Sequence, residues 1–225
     1  MDTKLDPTFL LINKPAGWTS FDVVNFIRKK ERARTGTKNI KVGHAGTLDP
    51  FATGLLIVGV GREATKRLDE FKNLPKTYLA TIHLGAVSDT QDVTGTIQKQ
   101  ETDNTRQPDL KTIQKIIATF VGKQQQIPPM YSAKKIGGQR LYKLARQGKE
   151  VEREPSEIEI YQIRLLGYDY PFLKIEVECS AGTYIRTLAA DIGKKLGTGA
   201  YCEELTRTKI GNFVLSDAST IDTVG

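Results

Sequence analysis

Gly43-His44-Ala45-Gly46-Thr47-Leu48-Asp49-Pro50, followed at once by the apolar run Leu55–Val60, is the stretch on which the reading of this chain turns. Glycine and alanine at three of these positions let backbone or ligand approach closely, and Pro50 stiffens the chain just after the carboxylate. The segment reads as a loop, and Leu55 to Val60 as a buried strand. Asp49 is thereby expected on a tight turn. Taken locally, such an Asp is ordinarily a turn former bonded to its own backbone; a functional role needs support from elsewhere in the chain.

Upstream, Phe9 to Ile12 reads as a short strand closed by Lys14-Pro15-Ala16-Gly17. Thr19 or Ser20 can cap a helix in which Phe21, Val24 and Ile27 recur at spacing three, running to about Arg32. Basic residues crowd the stretch from Arg28 to Lys41. Downstream, Glu63–Phe71 reads as a short helix and Thr77–Leu84 as a strand, with Thr94–Lys99 as its expected partner. Asp109–Phe120 has a helical pattern of Leu110, Ile113, Ile116, Ile117 and Phe120. Strands follow at Ile158–Tyr168 and Phe172–Cys179, then a helix at Tyr184–Leu196 stopped by Gly197. Tyr201–Phe213 contains at least one more strand. Strands and helices alternate without a βαβ rhythm, which points to an α+β fold with a mainly antiparallel sheet.

One segment stands apart. Gln124 to Arg153 carries Gln124-Gln125-Gln126, Pro128-Pro129 and then Lys134, Lys135, Arg140, Lys143, Arg146, Lys149 and Arg153. It reads as a basic insertion with a short helix around Leu141–Arg146.

The 225 residues are 39% hydrophobic and 26% charged, as expected of a globular chain. No apolar run approaches the roughly 20 residues of a membrane span, and Met1–Pro7 lacks a secretory pattern. A cytoplasmic location is expected. Two cysteines, Cys179 and Cys202, and two histidines, His44 and His83, leave disulfide and zinc chemistry without support. The net charge of +7 and pI near 9.3 favour a polyanionic partner without deciding it. Gly59-Val60-Gly61 lacks the companions of a nucleotide loop, and no G-x-S-x-G accompanies His44 and Asp49.

Two further positions bear on Asp49. Arg186, in Cys179-Ser180-Ala181-Gly182-Thr183-Tyr184-Ile185-Arg186, lies early in the helix after a strand. A cation there opposes the helix dipole, so it should reach for an anion, either phosphate or Asp49. Tyr78 offers a flat face on which a base can stack, and Lys76 beside it can reach phosphate.

Together these stretches resemble the tRNA pseudouridine-55 synthase family, the TruB type. The matching pieces are Lys14–Asp22, Gly43–Leu56, Lys76-Thr77-Tyr78, Leu84-Gly85 through Asp89-Thr90-Gln91-Asp92 to Gly95, Pro128–Lys134 and Ser180–Arg186, in family order. The resemblance implies a pseudouridine-synthase fold: a bent, mainly antiparallel mixed sheet with flanking helices and a central RNA cleft. It implies Asp49 as catalytic aspartate, Arg186 as its salt-bridge partner, and Tyr78 stacked on the target uracil. His44 resembles the residue that enters the RNA loop, Leu205 the apolar wall of the pocket, and the 124–153 insertion a thumb that closes on the T-arm. Lys14, Lys76, Lys134, Lys135, Arg140 and Lys143 are the remaining expected RNA contacts.

The implied reaction breaks the bond from ribose C1′ to uracil N1, rotates the base and rejoins it through C5. It needs no metal or other cofactor, only a carboxylate and a base taken out of its stack. The expected partner is tRNA, bound by a monomer with no obligate protein partner and no membrane. Family members commonly carry a small RNA-binding domain after the catalytic one, whereas this chain stops at Gly225. RNA affinity is therefore expected to rest on the basic insertion and the Arg28–Lys41 stretch. Two other functions share these features, a guide-RNA-dependent catalytic subunit and an RNA-folding chaperone.

Overall fold

Leu55 to Gly59 are all buried in the computed structural model, which describes residues 8–100, 107–132, 134–145 and 147–224. The expectations placed on Met1–Pro7, Ala133, Arg146, the Lys135 side chain and Gly225 lie outside the described residues. In chain order the elements begin with β1 (Phe9–Lys14), α1 (Ser20–Thr35), β2 (Val42–Ala45), β3 (Thr53–Val60), α2 (Arg62–Arg67), α3 (Asp69–Lys72) and β4 (Lys76–Leu84). There follow β5 (Ala86–Ser88), β6 (Ile97–Lys99), α4 (Leu110–Ala118), β7 (Gly122–Gln126), β8 (Lys135–Ile136), β9 (Gln139–Arg140) and α5 (Leu141–Ala145). The chain closes with β10 (Ser156–Asp169), β11 (Phe172–Cys179), α6 (Ile185–Leu196), β12 (Ala200–Ile210), β13 (Phe213–Val214) and a 3₁₀ turn at Leu215–Asp217.

The fold resolves into two compact units. The first contains the residues up to Tyr78 and those from Leu205 onward, and the second Leu79–Glu204. Strands β4 and β12 each run from one unit into the other.

In the first unit β3 is the central strand. It pairs antiparallel with β1 and β2, and parallel with β12 through Thr206↔Thr53 and Arg207↔Gly54. Both faces of β3 are covered, which is why its sequence is continuously apolar instead of alternating. Leu56 and Val58 pack with Ile12, Val23, Val24 and Ile27, the last three from α1. Leu55 and Ile57 pack on the other side with Phe9, Leu68, Phe71 and Ile210. The start of α1 is set by Thr19. Its hydroxyl accepts from the Asp22 N–H while the Asp22 carboxylate accepts from the Thr19 N–H, a reciprocal cap.

In the second unit β10 pairs antiparallel with β11 on one side and with β7 on the other. Helices α4 and α6 lie against one another. As expected, Gly197 stops α6, adopting the left-handed conformation with φ 74°. The antiparallel pairings together with the parallel pairing of β3 and β12 make the sheet mixed, in keeping with the α+β expectation.

Four local expectations are corrected. Gly43 to Ala45 belong to β2, because the buried Val42 and Ala45 anchor the stretch against β3. The helix expected over Glu63–Phe71 is split at Leu68 into α2 and α3. The strand in Thr94–Lys99 pairs with β5 and not with β4; its residues Ile97–Lys99 are all exposed and have no apolar face to bury in a larger sheet. Gln124–Gln126 belong to β7, not to the insertion, which is left as a small β8–β9 hairpin followed by α5.

Candidate active site

Asp49 lies in the loop between β2 and β3, in the first unit, and is half-buried. The chain is fixed on both sides of it. Ser20, the first residue of α1, brackets Leu48: its hydroxyl accepts from the Leu48 N–H at 2.9 Å and donates to the Leu48 carbonyl at 3.2 Å. On the other side, the Pro50 carbonyl accepts from the Gly17 N–H at 2.8 Å and from Lys14 Nζ at 3.3 Å. The Ala52 N–H closes the turn onto the Asp49 carbonyl at 3.2 Å.

Arg207 straps this loop at its base. Only 1% exposed, it donates from Nε to the Leu55 carbonyl at 2.8 Å and from Nη2 to the Gly46 carbonyl at 3.1 Å. One guanidinium therefore joins the two ends of the segment that carries Asp49. The sequence permits this through Gly54, where a Cβ would lie 2.3 Å from the Arg207 carbonyl oxygen and φ is +107°. Only glycine allows β12 to approach β3 there. The hydroxyls of Thr53 and Thr206, 2.8 Å apart, pin the same crossing.

Lys14 has no exposed surface. Its Nζ donates to the carbonyls of Trp18 (2.7 Å), Pro15 (2.8 Å) and Pro50 (3.3 Å). Burial pulls its pKa down to about 8, against the raising effect of the Asp49 charge and with a further lowering from Arg207. The expectation that Lys14 meets RNA is corrected, since its three hydrogens are directed at loop carbonyls. Lys76 is corrected likewise. Only 6% exposed, it donates to the Leu74 carbonyl at 2.6 Å and to the Lys72 carbonyl. It satisfies acceptors left over where α3 ends, a place that attracts a cation.

The first unit also holds the other residues expected around the substrate. His44 is half-buried in β2 opposite Val58, Tyr78 is buried in β4, and Leu205 is 6% exposed in β12.

Arg186 belongs to the second unit, as second residue of α6, and is 2% exposed. Its Nη1 lies 3.3 Å from the Asp92 carboxylate and donates to the Thr90 carbonyl at 2.7 Å, while Nη2 donates to the Tyr131 carbonyl at 2.8 Å. Asp92, quoted only as part of a motif, is thus a functional candidate that residue-level reading missed. Its carboxylate also accepts from the Thr90 hydroxyl (2.8 Å), the Thr94 N–H (2.9 Å) and the Thr94 hydroxyl (2.5 Å). A signal existed: Asp with Thr two residues to either side is a turn pattern that commits the carboxylate to local donors.

Gln126 was missed too. Its amide donates to the Tyr184 carbonyl at 3.0 Å and accepts from the Tyr184 N–H at 2.8 Å, so it serves as a strand neighbour for the entry to α6. In the basic insertion, Lys134 donates to the Ser156 hydroxyl at 2.6 Å, and Arg140 and Lys143 are exposed. Among the described residues no three His, Cys, Asp or Glu side chains gather as a metal site would require. Among the same residues no helix is long and apolar enough to cross a membrane.

Known proteins resemble this chain over most of its length. The family description "TruB family pseudouridylate synthase (N terminal domain)" matches residues 32–185, more than half of the chain, and "tRNA pseudouridylate synthase B C-terminal domain" matches residues 186–225. The chain is 49% identical over 208 residues to the tRNA pseudouridine synthase B of Protochlamydia amoebophila, covering 92% of this chain and 76% of that protein. It is 48% identical over 206 residues to the protein of the same name from Bacteroides fragilis, covering 92% and 87%. Among solved structures, it is similar to a chain of a Cbf5-Nop10-Gar1 complex, with 27% identity and a TM-score of 0.70, over 95% of this chain and 53% of that one. A second, the H/ACA RNP bound to a substrate RNA containing 2'-deoxyuridine, gives 25% identity and 0.67, over 95% and 51%. The chain thus spans about half the length of these structural neighbours.

Proposed function

The chain belongs to the TruB family of pseudouridylate synthases, isomerases, and from that membership we propose that it converts the T-loop uridine of tRNA, position 55, to pseudouridine, with Asp49 as the catalytic carboxylate. The observation that carries the proposal is the fixing of Asp49. Leu48 and Pro50 are each tied to other elements, and Arg207 joins Gly46 to Leu55 beneath them. A group that must meet one carbon of a swung-out nucleotide gains most from such preorganisation.

The remaining roles follow from residue chemistry. Tyr78 gives the everted uracil a face to stack on, which offsets the few kcal/mol lost on leaving the RNA stack. Leu205 walls the base pocket, and His44 fills the space that the base leaves in the RNA loop. Arg186, oriented by Asp92, is the proposed salt-bridge partner of the carboxylate. The thumb residues Lys134, Lys135, Arg140 and Lys143 bind phosphate of the T-arm. Breaking the C1′–N1 bond and forming C1′–C5 releases the C5 hydrogen as a proton and returns a proton to N1. The product is an isomer of the substrate, and the tRNA alone is the partner.

The test is tritium release from C5-labelled uridine in unmodified tRNA, with purified protein and neither guide RNA nor added cofactor. The parent chain should release label from one T-loop uridine, and Asp49→Asn should release none while binding tRNA within about twofold of the parent. Full turnover by Asp49→Asn removes that residue from the mechanism. Binding without release by the parent favours the chaperone reading. The likeness to the Cbf5-containing complex favours a second, guide-dependent reading, which predicts release only when a guide RNA is supplied. Identity of 48–49% to proteins named tRNA pseudouridine synthase B, against 27% for that complex, supports the guide-free reading over the guide-dependent one.

A further inference from the structure

The positive charge of this chain is concentrated in two segments. Residues 28–41 contain seven basic residues and one acidic, a net +6; residues 124–153 contain seven and two, a net +5; the remainder carries a net −4. The second segment is the thumb, already given an RNA role by the proposed function. The first has none.

In the first unit this segment forms the second half of α1 and the loop to β2. The buried stripe of α1 is Ser20, Val23, Val24, Ile27 and Glu31. At about 100° per residue, Phe21, Asn25, Arg28, Lys29 and Arg32 fall within one arc that runs from the edge of this stripe to the side facing away from it. Several of the charges nearby are already engaged. Arg34 pairs with Glu31 at 2.6 Å, Lys30 donates to the Val224 carbonyl, and Arg28 donates to the Asn25 side chain at 2.6 Å and the Val42 carbonyl at 3.2 Å. Asp22, the acidic residue nearest this arc, is held in the cap with Thr19. Lys29, Arg32, Lys38 and Lys41 are all exposed.

Phe21 is the most exposed large apolar side chain among the described residues, at 59%, and the Arg28 guanidinium lies over its ring at 5.9 Å. A flat apolar face at the head of a row of cations is the combination by which proteins hold unpaired nucleic acid, with charge for the backbone and a ring for a base.

We infer that this outer face of α1 and the loop after it form a second RNA-contacting surface, separate from the thumb. Lys29, Arg32, Lys38 and Lys41 meet phosphates, and Phe21, backed by Arg28, stacks on an unpaired base. The inference rests on the tRNA substrate proposed above.

Two variants of the full chain test it, neither touching the residues around Asp49. The first combines Lys29→Ala, Arg32→Ala, Lys38→Ala and Lys41→Ala; the second is Phe21→Ala. Dissociation constants for unmodified tRNA are measured across a salt series, together with C5-tritium release at saturating tRNA. The quadruple variant should bind more weakly, with the slope of log affinity against log salt shallower by about 3. Phe21→Ala should lose roughly fivefold or more in affinity with its slope unchanged, because stacking releases no counterions. Both should keep the parent's rate at saturation. Parental affinity and slope in both variants, in a preparation whose parent turns over tRNA, would overturn the inference and leave the proposed function standing. Absence of release by the parent, even with guide RNA, would instead strike at the substrate reading itself.

Discussion

At the scale of single residues, the neighbourhood of Asp49 is governed by two buried cations that never face solvent, Arg207 and Lys14. Each donor on Arg207 that binds a carbonyl is a charge-assisted bond, contributing on the order of 1.5–3 kcal/mol. Arg207→Lys retains the charge but cannot span Gly46 and Leu55 together, so the unfolding free energy in urea should fall by about 2–4 kcal/mol. Because the strap acts on the Asp49 loop and not on RNA, kcat should fall with KM nearly unchanged; a KM-only effect would show that the strap serves binding instead. Lys14 yields a prediction in pH. Its pKa is about 8 in the fold against 10.5 for a lysine open to water, so between these values the unfolded chain binds more protons than the folded one. Stability contributed through Lys14 therefore rises with pH across that window, and the full cost of burying its charge is present below it. Lys14→Met should abolish that rise when melting temperature is followed from pH 7.5 to about 10.5. An unchanged profile in the variant would place the ammonium in a more hydrated setting.

At the scale of elements, α6 begins without a side-chain cap of its own, and Gln126 from β7 supplies both hydrogen bonds to Tyr184. Gln126→Ala should remove both of these bonds and leave the Tyr184 carbonyl with its bond from the Leu188 N–H, costing about 1–3 kcal/mol, and should speed amide exchange at Tyr184 relative to Leu188. Equal acceleration at both amides would indicate general loosening of α6. Elements of this kind also show what the sequence discloses. The start of α1 and the end of α6 are legible because Thr19-Ser20 and Gly197 act within a turn of the helix they bound, whereas α1 runs to Thr35, past the expected end at about Arg32. The buried character of β3 is legible because Leu55–Val60 has no polar interruption. The role of β7 is not, because Gln124-Gln125-Gln126 is polar and its strand identity comes wholly from pairing with β10. At the site, the motif carrying Asp49 could be found by resemblance. The strap could not: nothing in Glu204-Leu205-Thr206-Arg207 reveals that its acceptors lie 152 and 161 positions upstream. Lys14 and Lys76 misled for the same reason, since a lysine in a loop motif looks available until the carbonyls around it are placed.

At the scale of the whole molecule, charge is the property that sequence reports best. Net charge sums without regard to contact, and the two basic segments remain the two basic segments after folding. The thumb combination Lys134→Ala, Lys135→Ala, Arg140→Ala and Lys143→Ala should weaken tRNA binding and flatten its salt dependence by about 2–4 in slope. Constant affinity across the salt series would contradict the thumb's assignment to phosphate. The chain's path has a consequence of another kind. The first unit is assembled from two separate stretches of the polypeptide, with the second, contiguous unit inserted between them. During synthesis from the N-terminus, residues 79–204 can close on themselves as soon as they emerge, whereas the Asp49 loop waits for Arg207, which follows them. A nascent chain, or one terminated before that arginine, then carries the carboxylate proposed as catalytic unfastened, and the loop gains its fixed geometry only after the whole inserted unit has been translated.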